Sequence, residues 1–348
     1  MSLVQRVAPD AELVTMLTGF FEDYRTARGH VGAEVDFDAA LWAALQELGL
    51  SRLTAPESEG GSGAGWAEAA TLLGLAAGAA APVPLVEHDL LAGWLLRLAG
   101  VPATDGRLRT AVRTDSEDAV CAVPYAHDAV SIVVLNRHDG RTFVSDIPAS
   151  ELTITPGRNR AGEPYDVVDL SGVRSGMQVA DETWLQFQLR GALARSAQIA
   201  GGMERALEVV SRHANERVQF GRPLGKFQAV QNMISDIATE TALTRAAVDS
   251  AIARVARSDW SDAGIEFFVA TAASCAGHAS STVVRNAHQV IAAIGTTLEH
   301  ELHTLTLPIL ARRGEFGSVR SWDERLTRLA AAAGDNLWAL VTTGVPSV

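Results

Sequence analysis

Glu216-Arg217-Val218-Gln219-Phe220-Gly221-Arg222-Pro223-Leu224, followed by Phe227-Gln228 and Gln231, is the stretch on which the fold turns. On its N-terminal side Leu185, Leu189, Leu193, Ile199, Met203, Leu207 and Val210 recur at helical spacing. On its C-terminal side Val230, Ile234, Ile237, Val248, Ile252 and Val255 mark a second stripe, and Phe268, Val283 and Val290 a third. Three helices of roughly 30 residues, each about 45 Å long at about 1.5 Å per residue, predict an antiparallel bundle with this stretch as a connection. Arg217 ends the first of them and precedes a loop. Its planar fork of donors suits a phosphate, and its charge equally suits a helix C-terminus. The first helix is crowded with small residues: Gly191, Ala192, Ala194, Ser196, Ala197, Ala200, Gly201 and Gly202. A mid-helix glycine costs ~1 kcal/mol relative to alanine, so close helix packing or a wall thinned for a ligand must compensate.

Working outward, the hydrophobic period changes twice. Residues 101–178 carry short β-branched runs at Val120–Val123, Val130–Leu135, Thr142–Ser145, Leu152–Thr155 and Val167–Leu170. Turn formers such as His138-Asp139-Gly140 and Pro156-Gly157 separate them, which predicts a small antiparallel β domain. Residues 1–100 are Ala-, Leu- and Glu-rich with helical spacing at Leu41, Leu45 and Leu48. The expected organisation is an N-terminal helical domain (1–100), a central β domain (101–178) and a C-terminal helical bundle (179–348).

The chain has 348 residues with 29 Lys+Arg against 41 Asp+Glu, a formal charge of −12, which opposes nucleic-acid binding because no basic stripe offers counterion release. At 47% hydrophobic and 20% charged it can bury a large core and is not a disordered chain. Cys121 and Cys275 fit no metal or disulfide framework. No secretory leader is legible, so the chain is expected in the cytoplasm. Apolar runs such as Leu72 to Leu85 are too short to span a bilayer, so no membrane span is expected. Met1-Ser2-Leu3 reads as an addition to the native chain as readily as part of it.

Four features together resemble the acyl-CoA dehydrogenase family, including the short subunits of its bacterial heteromeric members. One is the opening stretch, an R-x-Q-F-G-x-P-L-x-x-F-Q-x-x-Q string. Another is Pro56-Glu57-Ser58-Glu59-Gly60-Gly61-Ser62-Gly63, with Glu68 beyond it. A third is Gln289-Val290-Ile291-Ala292-Ala293-Ile294-Gly295, running into Thr297-Leu298-Glu299-His300-Glu301-Leu302-His303. The last is the order helices, small β domain, long-helix bundle. The resemblance implies a mainly α fold with a small β domain and a C-terminal four-helix bundle that oligomerises. It also implies FAD, an acyl-CoA thioester substrate dehydrogenated between its α and β carbons, and an acceptor such as electron-transferring flavoprotein. Arg217, Gln219, Phe220, Phe227 and Gln228 would clamp FAD across a subunit interface, and Gln289 and Ala293 would meet the same dinucleotide. Ordinary packing at a helix junction is the plain alternative for Phe220, Phe227 and Gln228. For His300 and His303, packing or surface roles are expected in preference to metal binding.

Three departures bear on activity. The family's glycine pair is Ala292-Ala293 here, and its histidine before that pair is Ile291. Between Val101 and Met177 there is no match to the Thr-Glu-Pro-x-x-Gly-Ser-Asp and Trp-x-x-x-Gly strings that cradle the flavin ring. Of the family's two positions for the carboxylate base, one holds Arg195 and the other falls at Phe316, one residue from Glu315. Glu315 is therefore the candidate catalytic base, with a solvated loop glutamate as the plain alternative. Three activities follow: an active homo-oligomeric dehydrogenase, a catalytically silent partner subunit in a heterotetramer with a homologue, or a flavin oxidase or monooxygenase on the same fold.

Overall fold

The computed structural model describes residues 8–29, 32–101, 103, 105–115, 119–173 and 176–345. Met1-Ser2-Leu3 lie outside the described residues. Helix α1 (Ala11–Arg28) starts at Asp10, whose carboxylate accepts from the Leu13 N–H at 2.9 Å. Asp38 caps α2 (Ala39–Glu47) in the same way, and α3 (Trp66–Gly78) follows. A π-helical turn, Val86–Gly93, leads into α4 (Trp94–Leu98). Seven strands come next: β1 (Arg109–Thr114), β2 (Val120–Pro124), β3 (Ser131–His138), β4 (Arg141–Pro148), β5 (Thr153–Thr155), β6 (Tyr165–Asp169) and β7 (Met177–Val179). The long helices are α5 (Thr183–Glu216), α6 (Gln228–Ser258) and α7 (Ile265–Ile291), of 34, 31 and 27 residues. Between α5 and α6 lies a two-residue ladder, β8 (Val218–Gln219) with β9 (Arg222–Pro223). The chain then closes with α8 (Leu302–Arg312), α9 (Val319–Ala333) and α10 (Leu337–Thr343). The fold is mainly α with a small β domain, as the sequence predicts.

The chain divides into two compact units. Unit 1 comprises the described parts of Met1–Ala33, Trp66–Ala80 and Ala192–Val348; unit 2 comprises those of Glu34–Gly65 and Ala81–Gly191. Unit 1 is built on the inner faces of the long helices, where Ile199, Met203, Val210, Ile237, Val283, Val290 and Leu302 are buried in one apolar cluster. The small-residue stretch of α5 serves close packing. A Cβ on Gly201 would lie 2.2 Å from the Gly74 carbonyl oxygen, so the α3 and α5 backbones touch there and only glycine fits. Helix α7 with its following turn, 265–296, is long and apolar enough by length and composition to cross a membrane, which corrects the expectation that no stretch is. Its exposed face carries His278, Ser281, Arg285 and Gln289. Its other face, Val269, Ala272, Ala276, Ala279, Val283 and Ala287, is buried in the bundle.

In unit 2 the strands form two sheets, ordered β1-β3-β4-β7 and β2-β6-β5. Strand β3 is buried along Ser131–Asn136, as befits a central strand. Expectation is corrected at one pair: β1 and β3 run parallel, Arg109 opposite Ser131 through Thr114 opposite Asn136. The intervening β2 pairs with β6 in the other sheet, so the chain re-enters beside β1 in the same direction. The β8–β9 ladder is likewise a short piece of strand inside a region expected to be helical, made by a tight turn at Phe220-Gly221.

Candidate functional site

The hairpin after α5 is fixed from below and open above. The Arg217 N–H donates to the His213 carbonyl at 2.9 Å, and the Leu224 N–H to the Arg217 carbonyl at 2.9 Å. Leu224 and Val230 pack on the cluster that holds Val290 and Ile291, so the hairpin foot and the end of α7 share one apolar anchor. At the tip, Phe220 (φ +53°) and Gly221 (φ +80°) are both left-handed, the requirement of a two-residue type I′ hairpin turn. Glycine meets that requirement at no cost, but phenylalanine does not, and the Phe220 ring is 91% exposed. A strained, solvent-facing aromatic side chain is a display for something to bind. Phe220 meets Phe227 edge-on at 6.2 Å between centroids, and the Arg222 guanidinium stacks 4.2 Å over the Phe227 ring. Arg217, Gln219 and Gln228 are exposed around them. Gln228 opens the 31-residue helix α6, whose N-cap residue Phe227 supplies no side-chain hydrogen bond. Its side-chain amide donates to Asn232 at 3.0 Å. Two arginines, two aromatic rings and the positive end of a long helix dipole suit a nucleotide with its phosphates. The structure thus groups the predicted clamp residues 217–228 on one hairpin and helix start. The Arg222–Phe227 stack was not foreseen, although Arg222 stands five residues before Phe227 in the same motif.

Gln289 is exposed in the last turn of α7, and Ala292 and Ala293 are exposed just past it. Ala292 adopts φ +62°, ψ −148°, a backbone region essentially reserved for glycine. The turn that a glycine pair would make is therefore kept, while methyl groups occupy the surface where backbone would approach a phosphate. Gly295 is required by packing: a Cβ there would lie 2.9 Å from Ile291 and 3.2 Å from Leu302. His288 sets its Nε2 on the Thr306 hydroxyl at 3.0 Å. His303 is buried, with Nδ1 2.7 Å from the His300 carbonyl. Among the described residues no three His, Cys, Asp or Glu side chains converge as metal ligands.

Glu315 is neither free nor solvated. Its Oε2 accepts from Arg195 Nε at 2.6 Å, with the two side chains 13% and 9% exposed. Arg195 also donates from Nη1 to the Gln198 side chain at 2.8 Å, and its guanidinium lies 5.9 Å from the Phe316 ring. The residues that the resemblance sets at, or beside, its two base positions are thus locked to one another. An arginine in contact favours the ionised carboxylate and opposes its taking up a proton.

Unit 2 holds an ionisable triplet that no motif announced: Glu87, His88 and Asp89 on the π-helical turn, 2%, 3% and 5% exposed. Asp89 accepts from the Thr54 N–H and hydroxyl, both at 2.9 Å. Burial pushes its carboxyl up to about 6, against the pull of those hydrogen bonds and of Arg97 and Arg190. His88 accepts from the Arg109 N–H at 3.0 Å, and burial pushes it down to about 3, helped by Arg52 and Arg109. Three charge-bearing residues inside the apolar run 81–96 were the available signal.

FAD, the group implied by the resemblance, can be tested against these residues. The strained, exposed Phe220, the stacked Arg222 and Phe227, and Arg217 at the mouth of α6 fit its nucleotide and phosphate half. The methyl groups of Ala292 and Ala293 fit it poorly.

Comparison with known proteins identifies the family. Residues 11–107 match the family model for the acyl-CoA dehydrogenase N-terminal domain, and residues 174–318 that for the C-terminal domain. The chain is 27% identical over 300 residues to acyl-CoA dehydrogenase IpdE2 of Mycolicibacterium smegmatis, covering 84% of this chain and 88% of the relative. The ChsE4-ChsE5 complex from Mycobacterium tuberculosis has a chain of the same fold, with TM-score 0.79 and 24% identity, covering 92% of this chain and 98% of that one. A second such structure, the Tcur3481-Tcur3483 steroid ACAD G363A variant, aligns with TM-score 0.81 and 22% identity over 93% of this chain and 98% of that one. With both terminal domains matched, over residues 11–107 and 174–318, the chain belongs to the acyl-CoA dehydrogenase family.

Proposed function

We propose that this chain is one subunit of a cytoplasmic, FAD-dependent acyl-CoA dehydrogenase built as a mixed oligomer, and that a homologous subunit supplies the catalytic base. The observation that carries this is the buried Arg195–Glu315 ion pair, which leaves neither base position with a free carboxylate. FAD would supply the hydride acceptor for the β hydrogen of the acyl thioester, with electron-transferring flavoprotein or a similar protein as the electron acceptor. This chain's part is binding and orientation. Arg217 and Arg222 would hold phosphate oxygens of a neighbour's FAD, Phe220 and Phe227 would pack its adenosine, and Gln219, Gln228, Gln289 and Ala293 would line the same dinucleotide. The bundle 179–348 would hold the subunits together. The names of its relatives, an acyl-CoA dehydrogenase and a steroid ACAD, support an acyl-CoA thioester substrate, steroid thioesters among them.

A second arrangement is favoured by one observation, the place of Glu315 beside the family's loop base position. In it the chain is active alone, and Glu315 is released from Arg195 when substrate binds. Flavin content separates the two. Produced alone, the chain should purify colourless; co-produced with a homologue encoded nearby, it should yield a yellow assembly with less than one FAD per chain. A lone chain that purifies yellow, with one FAD per subunit, would sink the mixed-oligomer assignment.

A further inference from the structure

Two histidine rings meet inside unit 1, one helical turn from Arg217. Helix α5 carries its hydrogen bonding one residue past Glu216, since the Arg217 N–H donates to the His213 carbonyl at 2.9 Å. Side chains four apart on a helix share a face, so the His213 ring and the Arg217 guanidinium lie on the same side. The ring of His300, from the turn between Gly295 and α8, meets His213 edge to face, with centroids 6.1 Å apart and planes at 82°. The next residue, Glu301, accepts from Arg212 at 2.6 Å and from Arg205 at 3.4 Å. The turn that follows Ala292-Ala293 is thus fastened to the C-terminal half of α5, whose end carries Arg217.

The two histidines differ in what a further proton would cost. His300 accepts from the Leu302 N–H through Nδ1 at 3.1 Å, so its neutral form carries the proton on Nε2. A second proton would set Nδ1–H against that N–H and remove a bond from the first turn of α8. No hydrogen bond ties the His213 ring among the described residues, so it can gain a proton without displacing a partner. Burial and the Arg217 charge hold His213 below the ordinary histidine range, with Glu216 opposing them. Burial lowers His300 too, with Glu301 opposing and His213, Arg212 and His303 assisting. Of the pair, His213 is the one free to titrate.

Arg217 opposes that proton only while its own charge is unmatched. A diphosphate settled on Arg217 brings negative charge beside the ring and reverses the balance, because an opposite charge nearby favours the protonated imidazole. We propose that His213 is a proton-linked member of the flavin clamp, taking up a proton from solvent as the diphosphate of FAD settles on Arg217. The proton binds a ring nitrogen of His213 and no electron moves. His300, kept neutral by the Leu302 N–H, stays beside it without adding a second charge. His213 has this role only where Arg217 holds phosphate, as proposed above, and it gives that clamp a direction: the grip tightens as pH falls.

Flavin affinity of the mixed assembly, read from flavin fluorescence between pH 5.5 and 8.5, tests this. The FAD diphosphate is a diester with no group that titrates in that range, so a slope belongs to the protein. The dissociation constant is expected to rise about three- to tenfold across it, the scale of one charge pair near a protein surface. His213→Gln should flatten the profile near the parent's value at pH 8.5. His300→Asn, which keeps an acceptor for the Leu302 N–H, should retain the slope. A flat parent profile, or a slope that survives in His213→Gln, would overturn the proposal while leaving the clamp intact. Arg217→Ala tests the clamp separately: unchanged affinity there would remove Arg217 as a holder of phosphate, and His213's role with it. If His213→Gln does not assemble, calorimetry of the parent at pH 6.5 in two buffers of different ionisation enthalpy decides. Net uptake of about half a proton per flavin supports the proposal, and none refutes it.

Discussion

Breaking the Arg195–Glu315 pair should cost stability out of proportion to its two halves. At 2.6 Å between Nε and Oε2 the gross attraction is ~6 kcal/mol at an effective dielectric of about 20. Desolvation of two largely buried side chains offsets most of it, so the pair adds little over apolar replacements, whereas removing one partner strands the other charge. Arg195→Met alone should therefore lower unfolding stability by ~3–5 kcal/mol. Glu315→Gln keeps an acceptor for Arg195 but leaves its charge uncompensated, and should cost ~2–3 kcal/mol. The double variant should lose at least ~2 kcal/mol less than the sum of the singles. Urea unfolding followed by circular dichroism measures all three. Additivity within ~0.5 kcal/mol would show that the two charges do not depend on each other. The same Glu315→Gln variant, placed in the mixed assembly, should leave acyl-CoA oxidation unchanged. Lost turnover with an intact fold and intact flavin content would make Glu315 the base and refute the structural role given to it here.

In that assembly Arg217→Ala should weaken FAD about ten- to hundredfold while leaving the subunits associated, read as flavin loss on gel filtration without a change in elution. Ala292→Gly should relieve the left-handed strain and stabilise the fold by ~1 kcal/mol net of glycine's own entropy, while tightening flavin binding; a destabilised or unaltered protein would contradict the strain assigned to Ala292. Asp89 titrates near 6 in the fold against an ordinary 3.8, so between those values the native state binds the extra proton, and the cost of the buried charge, up to ~3 kcal/mol, is present above pH 6 and relieved as pH falls. Asp89→Asn should accordingly stabilise the protein at pH 7.5 and converge on the parent near pH 4, as measured by urea unfolding at each pH. His88, pushed down to about 3, works the other way: its unfolded form takes up a proton below about 6.5 and stability falls with acid, so His88→Gln should flatten the acid limb of the profile.

Local rules of sequence determined a great deal here. The 3.6-residue period from Leu185 to Val255 set the long helices, since burying one stripe admits no other local geometry. The β-branched runs from Val120 to Leu170 set five of the seven central strands; β1 and β7 were not legible. Family membership was legible as well, because the R-x-Q-F-G string has many fixed places within one hairpin. What only the tertiary structure decided involves partners far apart in the chain. The direction of β1 beside β3 depends on where β2 goes, which alternation along a strand does not encode. Gly201 is required by Gly74, on another helix. Glu315 read as a loop carboxylate until the fold set it against Arg195, 120 positions away, and so turned a candidate base into half of an ion pair. A residue's chemistry is set by the charges and the water around it, and for these residues both are supplied by segments that sequence spacing does not connect.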